Sequence, residues 1–256
     1  MNSVFGGLLV AFSLYSAIPV PQVNWEKSTM RWALGFLPLV GVVVGLLEWG
    51  WFVLAARLGL TGMLYAVVAA LVPIAVTGGI HLDGLTDTCD ALCSHADREK
   101  KLEILKDPHV GAFGVMWQTA CLLLTAALFS QVYAAPGQFP VLCLGYAAAR
   151  ALGGRAIVSL PCAKNSGLVY LFADNADKTI VRRVLSVVWA VCCLAMLALR
   201  PVCGAVFTVL SVLWTRAHRR ACLRIFGGLT GDLTGFLITT TELLALAIAA
   251  FGGVLL

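Results

Sequence analysis

The sequence predicts an all-α polytopic membrane protein of seven or eight transmembrane helices, forming a single domain over residues 1–256. Three observations carry that expectation. Of the 256 residues 60% are hydrophobic and only 12% charged, where an average soluble domain is about 25% charged. The 18 Lys/Arg and 13 Asp/Glu could not cover a soluble fold of this size without leaving wide apolar patches, and mean hydropathy is +0.92. Finally, the apolar residues are gathered into stretches separated by short polar segments.

Those stretches are 4–20, 33–56, 60–80, 111–135, 139–160, 184–199, 202–215 and 233–256. A helical span needs about 20 residues. The first stretch is short and ends in Pro19-Val20-Pro21, so it either spans or lies in the interface. Stretches two to five and the last are long enough, and Gly41-x-x-x-Gly45 offers a close-packing face. Residues 184–199 and 202–215 flank Arg200-Pro201, which reads as a tight turn between two helices. Seven spans follow, with 4–20 as an eighth.

Charge orients them. Segments 21–32, 81–110, 161–183 and 216–232 hold 14 of the 18 Lys/Arg, and only Arg57 and Arg200 fall on the opposite side. The positive-inside rule then puts those four segments in the cytoplasm. They also hold 11 of the 13 acidic residues, leaving Glu48 and Glu242 within spans. A site gathered on one face suits an enzyme fed from the cytoplasm better than a pathway through the bilayer. The nine cysteines form no C-x-x-C pair and read as reduced apolar filler. Residues 1–10 lack the basic start of a cleavable signal peptide.

The densest chemistry lies in Gly78-Gly79-Ile80-His81-Leu82-Asp83-Gly84-Leu85-Thr86-Asp87-Thr88-Cys89-Asp90. Asp83, Asp87 and Asp90 are spaced i, i+4, i+7, which at about 100° per residue puts them within a roughly 60° arc of a helix. Three carboxylates on one arc repel unless a cation sits among them. Hard oxygen ligands suit Mg²⁺, which usually also takes substrate phosphates. A solvated acidic face would have basic partners nearby, and no Lys or Arg lies between Asp83 and Asp90. His81 sits about 160° away on the same helix, as a base reaching in from a non-helical turn or as an orienting group. Further along, Glu103-Ile104-Leu105-Lys106-Asp107-Pro108 precedes Gly111. Asp107 either pairs with Lys106 or completes the metal site.

Together these residues resemble the cobalamin synthase family, also called adenosylcobinamide-GDP ribazoletransferase. The likeness extends over nearly the whole chain. It rests on His81-Leu82-Asp83-Gly84-Leu85-x-Asp87-Thr88-x-Asp90, on Glu103-Ile104-Leu105-Lys106-Asp107 and on Gly111-x-x-Gly114. Further on, Pro161-Cys162-Ala163-Lys164-x-x-Gly167-Leu168 and Gly227-Gly228-Leu229-Thr230-Gly231-Asp232-x-x-Gly235 are similar to two more of the family's segments, and Ile18-Pro19-Val20-Pro21 matches the end of its N-terminal signature. The chain departs from the pattern at Ala17, where the family carries a basic residue, at Lys164 for Arg, at Val169 for Gly and at Thr239 for Glu.

The resemblance implies transfer of the cobinamide-phosphate group of adenosylcobinamide-GDP to α-ribazole or its 5′-phosphate, with release of GMP. On the residues themselves, Mg²⁺ is expected on Asp83, Asp87 and Asp90, with Asp107 and Asp232 as candidates for a second ion or its outer shell, catalytic roles on the first three and His81, and substrate contacts from Lys106, Asp107, Arg150, Lys164, Arg224, Thr230, Asp232 and Glu242. Arg150 is the sharpest of these, because a charge inside an apolar run needs a cavity or a partner. Beyond its two substrates and the lipid bilayer no nucleic acid is expected, and self-association is left open. The expected location is the plasma or inner membrane, multi-pass, with the site facing the cytoplasm. A membrane phosphotransferase of the CDP-alcohol type would show Ala-Arg after an Asp-Gly, and Asp83-Gly84 has none. A corrinoid or cation transporter would need polar residues in both halves of the bilayer.

Overall fold

The computed structural model describes residues 3–255, and it is helical throughout. The helices are α1 (Ser3–Tyr15), α2 (Lys27–Leu58), α3 (Gly62–Thr77), α4 (Ile80–Cys93), α5 (Arg98–Ile104), α6 (Ala112–Ala134), α7 (Phe139–Ile157), α8 (Leu168–Asn175), α9 (Lys178–Leu199), α10 (Pro201–Ala221) and α11 (Gly231–Leu255). Among the described residues the single extended pairing is a parallel bridge between Cys162 and Leu229.

Four helices, α2, α6, α9 and α11, are long and apolar enough to cross a membrane, and α3 with α4 makes a fifth if that bent pair is one span. This is fewer than the seven or eight the apolar stretches predict, and the reasons are local. The stretch 60–80 does not continue as one helix. Gly78 and Gly79 adopt φ of 63° and 80°, a left-handed region open to glycine, and the chain turns by 97° there. As a result α4, with its aspartates, runs across the axis of α3. The first stretch yields only the 13 residues of α1. Gly7 lies against Thr29 and Trp32 while Tyr15 packs on the cluster of Leu37, Ala149 and Ile238, so α1 runs beside α2 in the same direction. The chain must then double back to begin α2 at Lys27. α10 ends on His218, Arg219 and Arg220, which suits the carbonyl end of a helix and lowers its apolar content.

α7 is the hub. Almost all of its side chains are buried, and it packs on α2, α9 and α11. Its glycines and alanines make it less apolar than a lipid-facing helix, because its surroundings are protein. The Gly41/Gly45 face works as the sequence suggests. A Cβ at Gly41 would strike the Tyr146 carbonyl, and one at Gly45 would come within 2.9 Å of the Cys143 carbonyl, so α2 and α7 meet backbone to backbone. The outer surface is apolar, with Leu46, Leu123 and Leu194 each at least 64% exposed, as lipid contact requires. All nine cysteines are free thiols.

Candidate active site

The site is built where α4 crosses the first turn of α11. Gly84 makes the crossing close: a Cβ there would lie 2.7 Å from the Asp232 carbonyl oxygen and 3.1 Å from Gly235 Cα. This contact sets Asp83 and Asp87, on the outward side of α4, beside Asp232. Asp87 feels the charge of Asp83, Asp232 and Asp90, while Asp232 feels Asp83 and Lys164. Asp83 is exposed and Asp87 half-buried. The carboxylate cluster therefore spans two helices, and its third open member is Asp232.

A groove of about 300 Å³ continues from Asp232, the lower end of the size range for ligand pockets. Its walls include Lys106, Lys164, Tyr170, Thr230 and Asp232. Residues more than sixty positions apart meet here through main-chain bonds. Leu229 N donates to Pro161 O at 2.8 Å and Ala163 N to Leu229 O at 2.9 Å, which joins the Pro161-Cys162-Ala163-Lys164 segment to the Leu229-Thr230-Gly231-Asp232 turn. Lys164 Nζ donates to Leu102 O at 2.7 Å, tying the same groove to α5. Burial, and then the neighbouring Lys106, lower the Lys164 pKa. Two ammonium groups in one groove favour an anion between them. Thr230 Oγ1 donates to Asp232 Oδ2 at 3.3 Å and accepts from Leu233 N at 3.2 Å, which fixes the start of α11.

Several expected site residues lie elsewhere. Asp90 is buried, with Oδ2 accepting from Gly111 N at 2.7 Å and Oδ1 from Gly114 N at 2.8 Å. Both oxygens are spent on the first turn of α6, whose free N–H groups and dipole favour a carboxylate. Asp107 is exposed and bonded to His109 through that residue's backbone N (2.9 Å) and ring Nδ1 (2.8 Å); these bonds hold its carboxyl below the usual range. The expected ligand set is thus divided. Arg224 is exposed in a π-type turn, and its carbonyl accepts from Arg98 Nη2 at 3.1 Å.

His81, Arg150 and Glu242 share a separate cavity beneath α4, among α3, α6, α7 and α11. Its volume is about 60 Å³, room for a few waters and far below a ligand pocket. Arg150 is wholly enclosed there. It donates to Tyr146 O at 3.1 Å and forms an ion pair with Glu242. The structure gives Arg150 a protein partner, Glu242, and sets it in this cavity rather than in the groove. His81 is buried, stacks on Tyr15 and has an unpartnered Nε2, so it faces away from the aspartates, as its angle on the helix requires. Thr239 lines the same cavity.

Sequence reading missed Tyr170 and Ser166 in the groove and the Thr86–Gln118 hydrogen bond (3.0 Å) between α4 and α6. No spacing signals these, because each depends on which elements meet. For Mg²⁺ the donor set is suitable: Asp83, Asp87 and Asp232 are hard oxygen donors, and among the described residues no basic side chain forms an ion pair with them. Among the described residues no three or more His, Cys, Asp or Glu side chains form a cage for an ion. Mg²⁺ commonly uses one or two carboxylates together with substrate phosphates, so the residues fit an ion shared with a ligand.

Comparison with known proteins agrees with this arrangement of motifs. The family model for cobalamin-5-phosphate synthase matches residues 7–250. A protein of Lachnoclostridium phytofermentans named adenosylcobinamide-GDP ribazoletransferase is 36% identical over 250 residues, covering 97% of this chain and 95% of its own. Proteins of the same name from Bradyrhizobium diazoefficiens (34% identical, covering 98% of this chain and 95% of its own) and Clostridium botulinum (28%, covering 96% and 97%) are similar over comparable lengths. No solved structure matches the chain. With a family model covering all but the ends and relatives matched nearly end to end, this chain belongs to the cobalamin-5-phosphate synthase family.

Proposed function

We propose that this protein is an adenosylcobinamide-GDP ribazoletransferase acting in the last steps of cobalamin biosynthesis. The observation that carries the reading is the placement of Asp83 and Asp87 beside Asp232, which itself lines one groove with Lys106 and Lys164. Acidic and basic groups side by side are what a phosphoryl-transfer site needs. A ribose hydroxyl oxygen that is free in both α-ribazole and its 5′-phosphate, and so not the 5′ one, forms a bond to the phosphorus that carries cobinamide. The bond from that phosphorus to the bridging oxygen breaks, GMP leaves with the bridging oxygen, and the hydroxyl proton passes to solvent. Lys106 and Lys164 hold the diphosphate and offset charge on the departing GMP. One or two of Asp83, Asp87 and Asp232 would hold Mg²⁺ together with the substrate phosphates, and the ion would supply Lewis-acid stabilisation of the phosphoryl oxygens. Thr230 keeps Asp232 aimed at the cluster. His81 braces α4 from the cavity side.

The same reading makes the chain a multi-pass protein of the plasma or inner membrane with this groove in the cytoplasm. α7, with 19 residues, would extend about 28 Å and α10 slightly more, so either can cross despite modest hydropathy. With α2, α3–α4, α6, α9 and α11 that makes seven crossings, with α1 dipping in and returning. The excess of Lys and Arg on the groove side supports the orientation.

Purified protein in lipid, given adenosylcobinamide-GDP, α-ribazole and Mg²⁺, is expected to release GMP and form adenosylcobalamin in equal amounts. GMP release without the corrinoid product, or neither product with any divalent metal, would overturn the assignment.

A further inference from the structure

A second pocket, outside the groove, sits between α7, α9 and α10. It measures about 370 Å³ and is lined by Leu152, Arg155, Ser186, Trp189, Arg216 and Arg219, with Val212 and Thr215 completing the wall. Arg155 lies in the last turn of α7, and Arg216 and Arg219 are three residues apart near the end of α10, on one face of that helix. Cations at a helix C-terminus are favourable in themselves, which accounts for Arg155 and Arg219, each in the last turn of its helix. It does not account for Arg216, nor for three guanidinium groups from two helices lining one pocket. Among the described residues no carboxylate pairs with any of the three. Arg155 is held in place by its Nε, which donates to Ser186 Oγ at 2.9 Å. Independently, the indole N–H of Trp189 is buried without a hydrogen-bond partner, a cost that a bound acceptor would remove.

We infer that this pocket binds the phosphate of an anionic membrane lipid. Arginine forks match phosphate oxygens in pairs of hydrogen bonds, and the Trp189 N–H adds a further donor. The pocket's floor is apolar at Leu152 and Val212. Its flanking residues on α9 and α10, Val187 and Leu213, are 60% and 52% exposed, so the mouth opens on the lipid-facing surface. A free phosphate has no use for that apolar frame, whereas a phospholipid fills it with glycerol and the start of its acyl chains. Basic pockets between transmembrane helices at the positively charged face are recurrent headgroup sites.

The test is reconstitution in nanodiscs of phosphatidylcholine containing a minor share of phosphatidylglycerol, followed by extraction and mass spectrometry of the lipid that stays with the protein. Wild type should retain phosphatidylglycerol well above its bulk share. Each arginine replaced by Gln should weaken retention by about fivefold, and the triple variant R155Q/R216Q/R219Q should return to the bulk ratio. Trp189→Phe, which keeps an aromatic ring and removes the N–H together with the rest of the five-membered ring, should lower retention without unfolding, which covers the case in which the triple variant misfolds. Retention equal to the bulk share in wild type would overturn the proposal. So would displacement of the lipid by millimolar inorganic phosphate, which would mean a free-anion site. GMP release at saturating substrate should persist in Trp189→Phe; its loss with lipid retention unchanged would assign the pocket to substrate and reject the lipid.

Discussion

The crossing of α4 over α11 is the contact on which the proposed site depends, and Gly84 is its narrowest point. In Gly84→Ala the new methyl carbon would stand 2.7 Å from the Asp232 carbonyl oxygen, against 3.4 Å at which ordinary contact begins. The obstructing atoms are backbone atoms of Asp232 and Gly235, so no rotamer change relieves the clash. The two helices must part by the difference, roughly 0.7 Å, or tilt by an equivalent amount. Over-packing of this kind costs about 1–3 kcal/mol of stability. The larger effect should fall on chemistry, since Asp83 and Asp87 would move relative to Asp232, and misplacements of about 1 Å can cost roughly 100-fold in rate. Measured as GMP release at saturating substrates and Mg²⁺, kcat should drop by one to two orders of magnitude while most of the protein remains folded. Gly35→Ala is the control. It lies within α2 with nothing within 4 Å of its Cβ position, and alanine there should leave kcat unchanged. A Gly84→Ala variant with wild-type kcat would refute the idea that the α4–α11 crossing sets the site.

The two buried or half-buried aspartates of α4 should separate by assay. Asp87→Asn is expected to abolish turnover at any Mg²⁺ concentration with an unchanged melting curve in detergent, and residual activity near wild type would remove it from the metal site. Asp90→Ala leaves the Gly111 and Gly114 N–H groups without their acceptor and should lower stability by about 1–3 kcal/mol; an unshifted melting temperature would contradict its role at α6. Arg150→Met strands the Glu242 carboxylate and should cost about 3–5 kcal/mol, with folding recovered in Arg150→Met/Glu242→Gln. If the single variant folds normally and the double gains nothing, the pair contributes no stability. A cysteine placed at Glu99, exposed on α5, should react with an impermeant maleimide in inside-out vesicles and not in intact cells, and the reverse pattern would invert the proposed orientation.

The helical class was legible because hydrophobic periodicity and low charge are local properties. The glycine pair of α2 was legible too, since small residues at i, i+4 have one common use between apolar helices. The break at Gly78-Gly79 was harder. Within a continuous apolar run, two glycines permit a turn without demanding it, and only packing of α4 on α11 and α6 selects the 97° bend. Lys106, Lys164, Thr230 and Asp232 were found through motifs that resemble a family, and the structure brings all four to one groove. No periodicity could have joined them, because the links are a pair of main-chain hydrogen bonds between the segments of Lys164 and Asp232 and the Lys164 bond to the Leu102 carbonyl.

Asp90 and Arg150 show where the limit lies. The helical arc correctly put Asp90 near Asp83 and Asp87, yet an arc states only which way a side chain leaves its own helix. What it meets is decided by the neighbouring element, and on that side stand the open N–H groups of α6. Arg150 raised the same question inside the membrane. Its burial demanded compensation, and two solutions were chemically equivalent from sequence: a substrate phosphate or a carboxylate. The structure supplies Glu242 together with the Tyr146 carbonyl, but it leaves Arg150 Nε and Nη2 without partners. Arg150 lines a cavity of about 60 Å³, large enough to hold water that would satisfy them. The polar core beneath α4 is therefore best understood as a hydrated brace. It holds the floor of the proposed site in place, and the carboxylates and lysines above it are left free to meet phosphate.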